Sequence, residues 1–221
     1  MPLVRLKNGK LLYFSHVPKC AGTAIENYLA GRFGPLGMLD PSYGLRGMRD
    51  GWSLTPPQHM PEEVRRDLFP DTLFDAIFAS VRHPALRLRS VFMFQREGEN
   101  ALPKSLTFER WIKSISRTIK LDPYALHGHL RPMTDQVPPA AHVFRIEDGL
   151  ERVVHWIDSL ADDEEGQRYI EPTNVMPERL KPEAPELTYN TCGIIREIYD
   201  ADYRRFGYRD EPSSDLVSMN S

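Results

Sequence analysis

The chain contains 221 residues, of which 41% are hydrophobic and 27% are charged, as is ordinary for a globular protein. Its 28 lysines and arginines are balanced by 31 aspartates and glutamates, so composition does not favour bulk binding to nucleic acid. No apolar run approaches the roughly 20 residues of a membrane-spanning helix, and residues 1–14 lack a signal-peptide pattern. Cys20 and Cys192 are too few for a disulfide framework or a zinc site. We therefore expect a cytoplasmic protein with no transmembrane segment and no nucleic-acid partner.

Strand and helix patterns alternate along the chain. Apolar runs predict buried strands over residues 10–17, 74–81 and 141–147. Helical spacing, or a proline in the first turn, predicts helices over residues 23–33, 61–69, 83–97, 105–120, 148–160 and 189–207. Thr107 is the expected N-cap of its helix. These elements predict an α/β fold with a P-loop-like parallel sheet flanked by helices.

Domain organisation is expected to be simple. One domain over residues 1–210 precedes a tail, 211–221, that we expect to be flexible. The 19 prolines cluster between the predicted elements, which indicates long loops.

The segment PKCAGTA follows the first predicted strand and has the composition of an anion-binding loop. Its small residues let backbone N–H groups approach a ligand, the next helix presents its positive end, and Lys19 adds a charge. The order differs from the GxxxxGK[ST] phosphate loop, because the lysine precedes the small residues. The alternative is a tight turn with a surface lysine. The small and hydroxyl residues concerned are Cys20, Ala21, Gly22, Thr23 and Ala24.

The segment VRHPALRLRS follows the next strand and suggests a second anion site. Arg82 stands at the strand end and Ser90 lies two helical turns further on, so both can reach one phosphate. Ligands bind beyond the carboxyl ends of parallel strands, where both segments are expected. Arg87 and Arg89 are interpreted as solvated helix charges. Leu88, Val91 and Phe92 are the expected core stripe of that helix.

Five motifs stand in the same order as those of a known enzyme family. HVPKCAGTA resembles HIPKTGGTS, and VRHPALRLRSVF resembles VRNPxxRxxSxY. HMPEEV takes the place of HLTxxEL, while HLRPMTDQV and VFRIEDGLERV resemble HxRPQTDxL and RxExLxxD. These motifs belong to sulfotransferases that use 3′-phosphoadenosine 5′-phosphosulfate (PAPS), of the carbohydrate type that includes heparan sulfate 2-O-sulfotransferase. The likeness runs over residues 11–207, nearly the whole chain.

The resemblance implies transfer of a sulfuryl group from PAPS to an acceptor hydroxyl, with a carbohydrate as the expected acceptor and adenosine 3′,5′-bisphosphate as the product. Lys19 would stabilise charge at the oxygen that bridges sulfate and phosphate, and residues 20–24 would surround the 5′-phosphate. Arg82 and Ser90 would hold the 3′-phosphate, and His59 would take the acceptor proton. No metal is expected, because a sulfuryl group carries less negative charge than a phosphoryl group and a lysine can suffice.

The chain departs from the family pattern at several positions. Cys20 and Ala21 replace the common Thr and Gly, and Ala24 replaces a frequent Ser, so one phosphate-binding hydroxyl is missing. His83 stands where Asn or Asp is common. His16 is interpreted as a hydrogen-bonded structural imidazole within the strand.

The acceptor site is expected on loops at residues 34–58 and 121–140. In the second of these, His129 and Arg131 are candidate acceptor-binding residues, and Arg131 suits an acidic sugar. A surface or core-bridging role for Arg131 is the alternative. His127 and His129 alternate as metal ligands can, but no third ligand of suitable spacing follows.

Two other functions compete with sulfuryl transfer. A P-loop kinase predicts a GxxxxGK[ST] loop and a metal-holding aspartate after an apolar strand, and the sequence has neither. A nucleotide-binding module that lacks catalysis fits the altered loop residues, although binding alone would not require Lys19 together with a histidine base.

Overall fold

The structure is a computed structural model that describes residues 1–43, 53–173 and 183–210. The predicted tail over residues 211–221 lies outside the described residues, as does part of the expected acceptor loop over residues 34–58. The chain divides into two compact units. We call them the sheet unit, with described residues 1–43, 53–81 and 135–173, and the helical unit, with described residues 82–134 and 183–210.

The sheet unit contains a four-stranded sheet in the order β1-β2-β3-β4. Its strands are β1 (Leu3–Arg5), β2 (Leu11–Ser15), β3 (Ala76–Val81) and β4 (His142–Arg145). Strands β2, β3 and β4 are parallel, with Ser15 opposite Ala79 and Val81 opposite Arg145, while β1 is antiparallel to β2. The three predicted strands are confirmed in shorter form. Strand β1 was not predicted, because its three residues are too few to show a pattern.

Helices cover both faces of this sheet. They are α1 (Gly22–Phe33), α2 (Glu62–Leu68) and α5 (Glu151–Ala161). The two helices between α2 and α5 in chain order, α3 (Pro84–Met93) and α4 (Phe108–Leu121), belong to the helical unit. Alternate residues of a strand point to opposite faces. Phe14 and Phe78 therefore pack with α1 and α5 on one face, while Tyr13 and Ile77 pack with Met60 on the other. The expected α/β class, with a mostly parallel sheet flanked by helices, is confirmed.

The helical unit contains α3 (Pro84–Met93), α4 (Phe108–Leu121), α6 (Tyr189–Ile198) and α7 (Asp200–Phe206). Leu88, Val91 and Phe92 lie in its core as predicted. Thr107 caps α4 as expected, since its side chain accepts from the Arg110 amide. Helix α3 ends earlier than predicted and continues as a π-helical turn over Phe94–Gly98.

The prediction of one helix over residues 189–207 is wrong, because the helix is interrupted at Tyr199, between α6 and α7. Tyr199 leaves helical geometry at φ −110° and ψ 28°. Its buried hydroxyl donates to the Leu130 carbonyl at 2.7 Å. This hydrogen bond ties the interruption between the two helices to the loop that contains Leu130. Among the helices that the structure describes, none is both long and apolar enough to cross a bilayer.

Candidate functional site

The loop between β2 and α1 has an unusual backbone. Lys19 and Ala21 adopt left-handed conformations with φ of 65° and 62°, whereas Cys20 between them does not. Left-handed backbone is unfavourable for residues other than glycine, so each of these positions stores strain of about 1–2 kcal/mol. Alternation of left- and right-handed residues turns successive backbone N–H groups toward one point and forms an anion-binding nest. Two positive-φ residues on either side of Cys20 are compatible with such a nest, and the anion site stays a prediction.

Helix α1 begins at this loop without a side-chain cap. Its N-cap residue is Ala21, whose methyl group cannot accept a hydrogen bond. The first-turn N–H groups of a helix have no acceptor within the helix, and they form the positive end of its dipole. Helices α2, α5 and α7 also lack a side-chain cap, whereas α4 and α6 are capped by the hydroxyls of Thr107 and Thr188. The uncapped amides of Gly22, Thr23 and Ala24 therefore remain as donors for an anion.

Buried serines from two strands hold the loop in place. Ser80 of β3 donates through Oγ to the Cys20 carbonyl at 2.6 Å. Ser15, the last residue of β2, donates to the Gln136 carbonyl at 2.8 Å. The Gln136 side chain is 1% exposed, and its amide has no hydrogen-bond partner in the described part of the chain. Cys20 itself is fully buried, with Sγ 3.7 Å from the Pro18 carbonyl oxygen.

His16 lies beneath the loop and fills the space where a side chain at residue 22 would lie. A Cβ atom added to Gly22 would stand 1.8 Å from His16 Nε2. His16 Nδ1 lies 2.6 Å from Oε1 of Glu26, which stands in the first half of α1. The prediction of a hydrogen-bonded imidazole is confirmed, although His16 follows β2 and is not part of it. Glycine is therefore required at residue 22 for steric reasons.

Burial determines the protonation of the His16–Glu26 pair. Desolvation lowers the pKa of His16 from 6.5 to about 3, and the charge of Lys19 acts in the same direction. Desolvation also raises the pKa of Glu26 from 4.5 to about 7. Since burial favours the uncharged form of each group, both shifts remove charge from beneath the loop. In that form the Glu26 carboxyl donates to His16 Nδ1, and the positive charge at this end of α1 belongs to Lys19 and the helix dipole.

His59, the predicted base, lies in a 3₁₀ turn over Pro57–His59 beside His16. The two imidazole rings meet edge to face with centroids 4.4 Å apart. His59 Nδ1 lies 3.2 Å from the His16 carbonyl oxygen. A carbonyl can only accept, so Nδ1 carries the proton and Nε2 is the basic nitrogen of the neutral ring. The structure thus brings together the predicted loop residues and the predicted base in the sheet unit.

The segment after β3 starts the helical unit and is built differently. His83 caps α3, because its Nδ1 accepts from the Ala85 amide at 3.2 Å and its Nε2 donates to the Arg209 carbonyl at 3.0 Å. An Asn or Asp at this position would cap a helix through a side-chain oxygen, so the imidazole supplies an equivalent acceptor. Pro84 occupies the first turn as predicted. Arg82 and Ser90 are both half-buried.

The interpretation of Arg87 as a solvated charge is wrong. Arg87 is fully buried and donates through Nη1 and Nη2 to the carbonyls of His129 and Arg131, at 3.1 and 2.9 Å. Its guanidinium also lies over the Tyr199 ring, 5.5 Å from the centroid. Asp202 accepts from the next amides of the same loop, those of Met133 and Thr134. Arg87 therefore supports the loop over residues 129–134 from within the helical unit.

Arg89 is also buried, which corrects the same interpretation. It is 6% exposed, and it makes no hydrogen bond or ion pair with any residue that the structure describes. Burial lowers the pKa of Arg89, and the nearby charge of Arg82 lowers it further. The burial of Arg89 was not predicted, because an arginine within a helix is usually solvated. Arg89 is thus a functional candidate that only the structure reveals.

The two candidate acceptor residues lie close together in the chain but do not form a metal site. His129 is buried, and its Nδ1 lies 3.0 Å from Gln95 Nε2. Arg131 is 7% exposed and lies over the Tyr124 ring, so a surface role for it is wrong. His127 is exposed in a left-handed conformation at φ 57°. Among the described residues, no group of three or more His, Cys, Asp or Glu side chains could hold a metal ion.

Comparisons with known proteins add no relative. No protein-family model, no curated protein and no solved structure matches this chain. The function proposed below therefore follows from the geometry of the site and from the motif resemblance.

Proposed function

We propose that the protein is a sulfotransferase that transfers the sulfuryl group of 3′-phosphoadenosine 5′-phosphosulfate to a hydroxyl, with a carbohydrate as the acceptor. One observation carries the proposal: the uncapped α1 begins at a loop that alternates left-handed residues and carries Lys19. Such a loop suits a diffuse anion, because its donors are backbone amides fixed before the ligand arrives.

The reaction moves one group and one proton. The acceptor oxygen attacks sulfur, the bond between sulfur and the bridging phosphate oxygen breaks, and adenosine 3′,5′-bisphosphate leaves. In this proposal the amides of Gly22, Thr23 and Ala24 hold the 5′-phosphate, and Cys20 and Ala21 shape the loop around it. Lys19 neutralises the charge that grows on the bridging oxygen. The interaction of Lys19 with the bridging oxygen therefore stabilises the transition state more than the ground state.

His59 is the proposed base. The hydrogen bond from Nδ1 to the His16 carbonyl orients the ring and leaves Nε2 to take the acceptor proton. The unprotonated ring nitrogen of a neutral imidazole can accept the proton of a hydroxyl. His16, whose pKa is lowered by burial to about 3, adds no competing positive charge beside it.

The assignment of Arg82 and Ser90 to the 3′-phosphate follows from the motif resemblance and has its own test. Calorimetric titration with adenosine 3′,5′-bisphosphate is compared with AMP and with ATP plus magnesium. We expect the bisphosphate to bind at least about tenfold more tightly than AMP, because a second phosphate adds charge-assisted hydrogen bonds worth 1.4 kcal/mol or more. Arg82→Ala should remove that difference. Preference for ATP with magnesium would overturn the proposal.

Lys19→Ala separates catalysis from binding. Transfer from labelled PAPS to a panel of sugars should fall by about 100-fold or more, because one charge in the transition state is lost. Bisphosphate affinity should stay within about tenfold, since one ground-state contact is removed. Lys120→Ala, which removes an exposed lysine of α4, is the control. Undiminished transfer in Lys19→Ala would remove the proposed role, and tight binding without any transfer in the parent protein would favour a binding module.

A further inference from the structure

The side-chain amide of Gln136 is buried without a hydrogen-bond partner. Gln136 is 1% exposed, and neither Oε1 nor Nε2 is hydrogen-bonded in the part of the chain that the structure describes. Arg32 and Arg87 each leave Nε without a partner, but their terminal nitrogens donate to other groups. A buried amide that gives up water and gains no partner destabilises the fold. Packing alone therefore gives no reason for a glutamine at this position.

The backbone of Gln136 is attached to the carboxyl end of strand β2. Ser15, the last residue of β2, donates through Oγ to the Gln136 carbonyl at 2.8 Å. The carbonyl of the next residue, His16, accepts from Nδ1 of His59 at 3.2 Å. Ligands of parallel sheets bind at this edge. Two consecutive residues at the strand end therefore hold Gln136 and the proposed base within the sheet unit.

The chemistry of the side-chain amide limits what it can bind. It is uncharged, and it offers two N–H donors together with one carbonyl acceptor. Two neighbouring hydroxyls of a sugar match this set, because one hydroxyl can donate to Oε1 while the other accepts from Nε2. A phosphate dianion has only acceptors and would leave Oε1 unpaired. Rotation of the side chain toward a ligand would break no hydrogen bond to a described residue, so its burial does not prevent binding.

We propose that Gln136 binds the acceptor, and that its amide pairs with a vicinal diol of a sugar. Oε1 accepts from one hydroxyl, and Nε2 donates to the hydroxyl on the adjacent carbon. This inference rests on the proposed function, which supplies the sugar and the base. The two hydrogen bonds fix the orientation of the sugar relative to His59 before transfer.

The test compares two sugars that differ in one hydroxyl. Methyl β-D-glucopyranoside has neighbouring ring hydroxyls, whereas its 3-deoxy analogue has no two hydroxyls on adjacent carbons. The parent is compared with Gln136→Met, which keeps the length of the side chain and removes its polar atoms. Gln167→Met is the matched control, because Gln167 lies in the same unit and donates to the Tyr169 carbonyl at an exposed site.

Three measurements are made on each protein. Transfer from labelled PAPS gives kcat/KM for both sugars, and saturation-transfer NMR gives their affinities without the donor. Calorimetry gives the affinity for adenosine 3′,5′-bisphosphate. Melting temperatures without ligand report on stability.

We expect the parent to favour the glucoside over its 3-deoxy analogue by about tenfold or more, because the analogue leaves a polar group of the site unpaired. In Gln136→Met this preference should fall to about twofold or less, with bisphosphate affinity also within about twofold of the parent. The melting temperature should stay the same or rise, since an unpaired buried amide is replaced by an apolar side chain. Gln167→Met should keep the preference of the parent.

Four outcomes would overturn the proposal. Equal binding of the two sugars by the parent, or binding of neither, shows that the site recognises no diol. A preference that survives in Gln136→Met belongs to other residues. A lower melting temperature with an unchanged preference indicates an internal water bound to the amide. Loss of bisphosphate affinity in Gln136→Met places the residue at the donor.

One outcome separates this inference from the proposed function. If the parent binds the glucoside in preference but transfers no sulfuryl group to it, the proposed function fails. Loss of that binding preference in Gln136→Met would then still support Gln136 as a residue that binds a vicinal diol.

Discussion

The loop after β2 and the segment after β3 both lead from a parallel strand into a helix, yet they offer an anion different groups. The first uses backbone amides, a lysine and an uncapped helix, and it stores strain at Lys19 and Ala21. The second has a capped helix without positive φ values, and it offers arginine side chains. The unfavourable conformational energy of the loop after β2 lies in its backbone. In the segment after β3, the unfavourable energy comes from the burial of the charged Arg89 side chain.

This difference has consequences for substitution. A backbone site depends on loop conformation and therefore on the small residues and buried groups that hold the loop. A side-chain site depends on individual arginines, which can be removed while the helix remains. Substitutions that add volume should therefore be the most damaging in the first segment. Substitutions that remove charge should be the most damaging in the second.

Gly22→Ala should give the largest effect. The added methyl would overlap the buried His16 ring, so we expect unfolding free energy to fall by about 4 kcal/mol and nucleotide binding to be lost. Gly31→Ala in the same helix is the control. Among the described atoms, its Cβ would meet only Gln167 Oε1, at 3.5 Å. The free energy of unfolding of this variant should rise by about 0.5–1 kcal/mol. Urea unfolding measures both, and equal stability of the two variants would contradict the steric argument.

Arg87→Met should rank next. The carbonyls of His129 and Arg131 lose their buried donors, so we expect a loss of about 3 kcal/mol. Arg89→Met, on the same helix, should cost nothing. If both variants are equally unstable, Arg89 has a structural partner and the contrast between the two arginines is wrong.

Glu26→Gln should change the pH dependence of stability. Because the pKa of Glu26 is raised in the folded protein, its stabilising contribution to the free energy of unfolding is full below pH 4.5 and is lost as the pH rises toward about 7. The lowered pKa of His16 makes its contribution full above pH 6.5 and lost as the pH falls toward about 3. The slopes oppose each other in the parent. Without the carboxyl, the free energy of unfolding of the variant should rise by about 2 kcal/mol relative to that of the parent between pH 4.5 and 7.

Urea unfolding over a series of pH values measures this gain. Glu197→Gln, at an exposed position of α6, is the control and should follow the parent at every pH. A constant difference between Glu26→Gln and the parent would show that Glu26 titrates normally.

Ala21→Gly should give the smallest effect. Glycine relieves the left-handed strain at this position but adds entropy to the unfolded chain, for a net gain of about 0.5 kcal/mol. Ala85→Gly, in the first turn of α3 where the backbone is relaxed, should instead lose about 1 kcal/mol. Thermal unfolding resolves the opposite signs, and losses of similar size in both variants would contradict the strain at Ala21.

The sequence predicted the strands and most helices because their signals are local. Apolar runs mark β2 and β3, and Thr107 and Pro84 mark helix starts through their own chemistry. The break at Tyr199 could not be predicted in this way, since it depends on a hydroxyl that reaches the carbonyl of Leu130, 69 positions earlier.

The candidate site was only partly predictable for the same reason. Small residues after a strand indicated the loop, but nothing in the letters Lys and Ala indicates positive φ. Glu26 pairs with His16 only because the loop turns α1 back over the strand end. Arg87 and Arg89 look alike in sequence. Only the packing of the helical unit gives Arg87 two backbone carbonyls as partners, while Arg89 has no hydrogen bond to a residue in the described part of the chain.

The short strand β1 has a consequence for the solution behaviour of the protein. Strand edges offer unpaired amides and carbonyls to other chains and so promote aggregation. On the side away from β2, Leu3 exchanges both of its backbone hydrogen bonds with Gly37, each at 2.9 Å. A visiting strand would have to displace this bridge before it could extend the sheet at β1. The backbone of Gly37 therefore protects this sheet edge from pairing with another chain. Gly37→Pro, which removes the N–H donor but keeps the carbonyl, is the substitution that should weaken this protection.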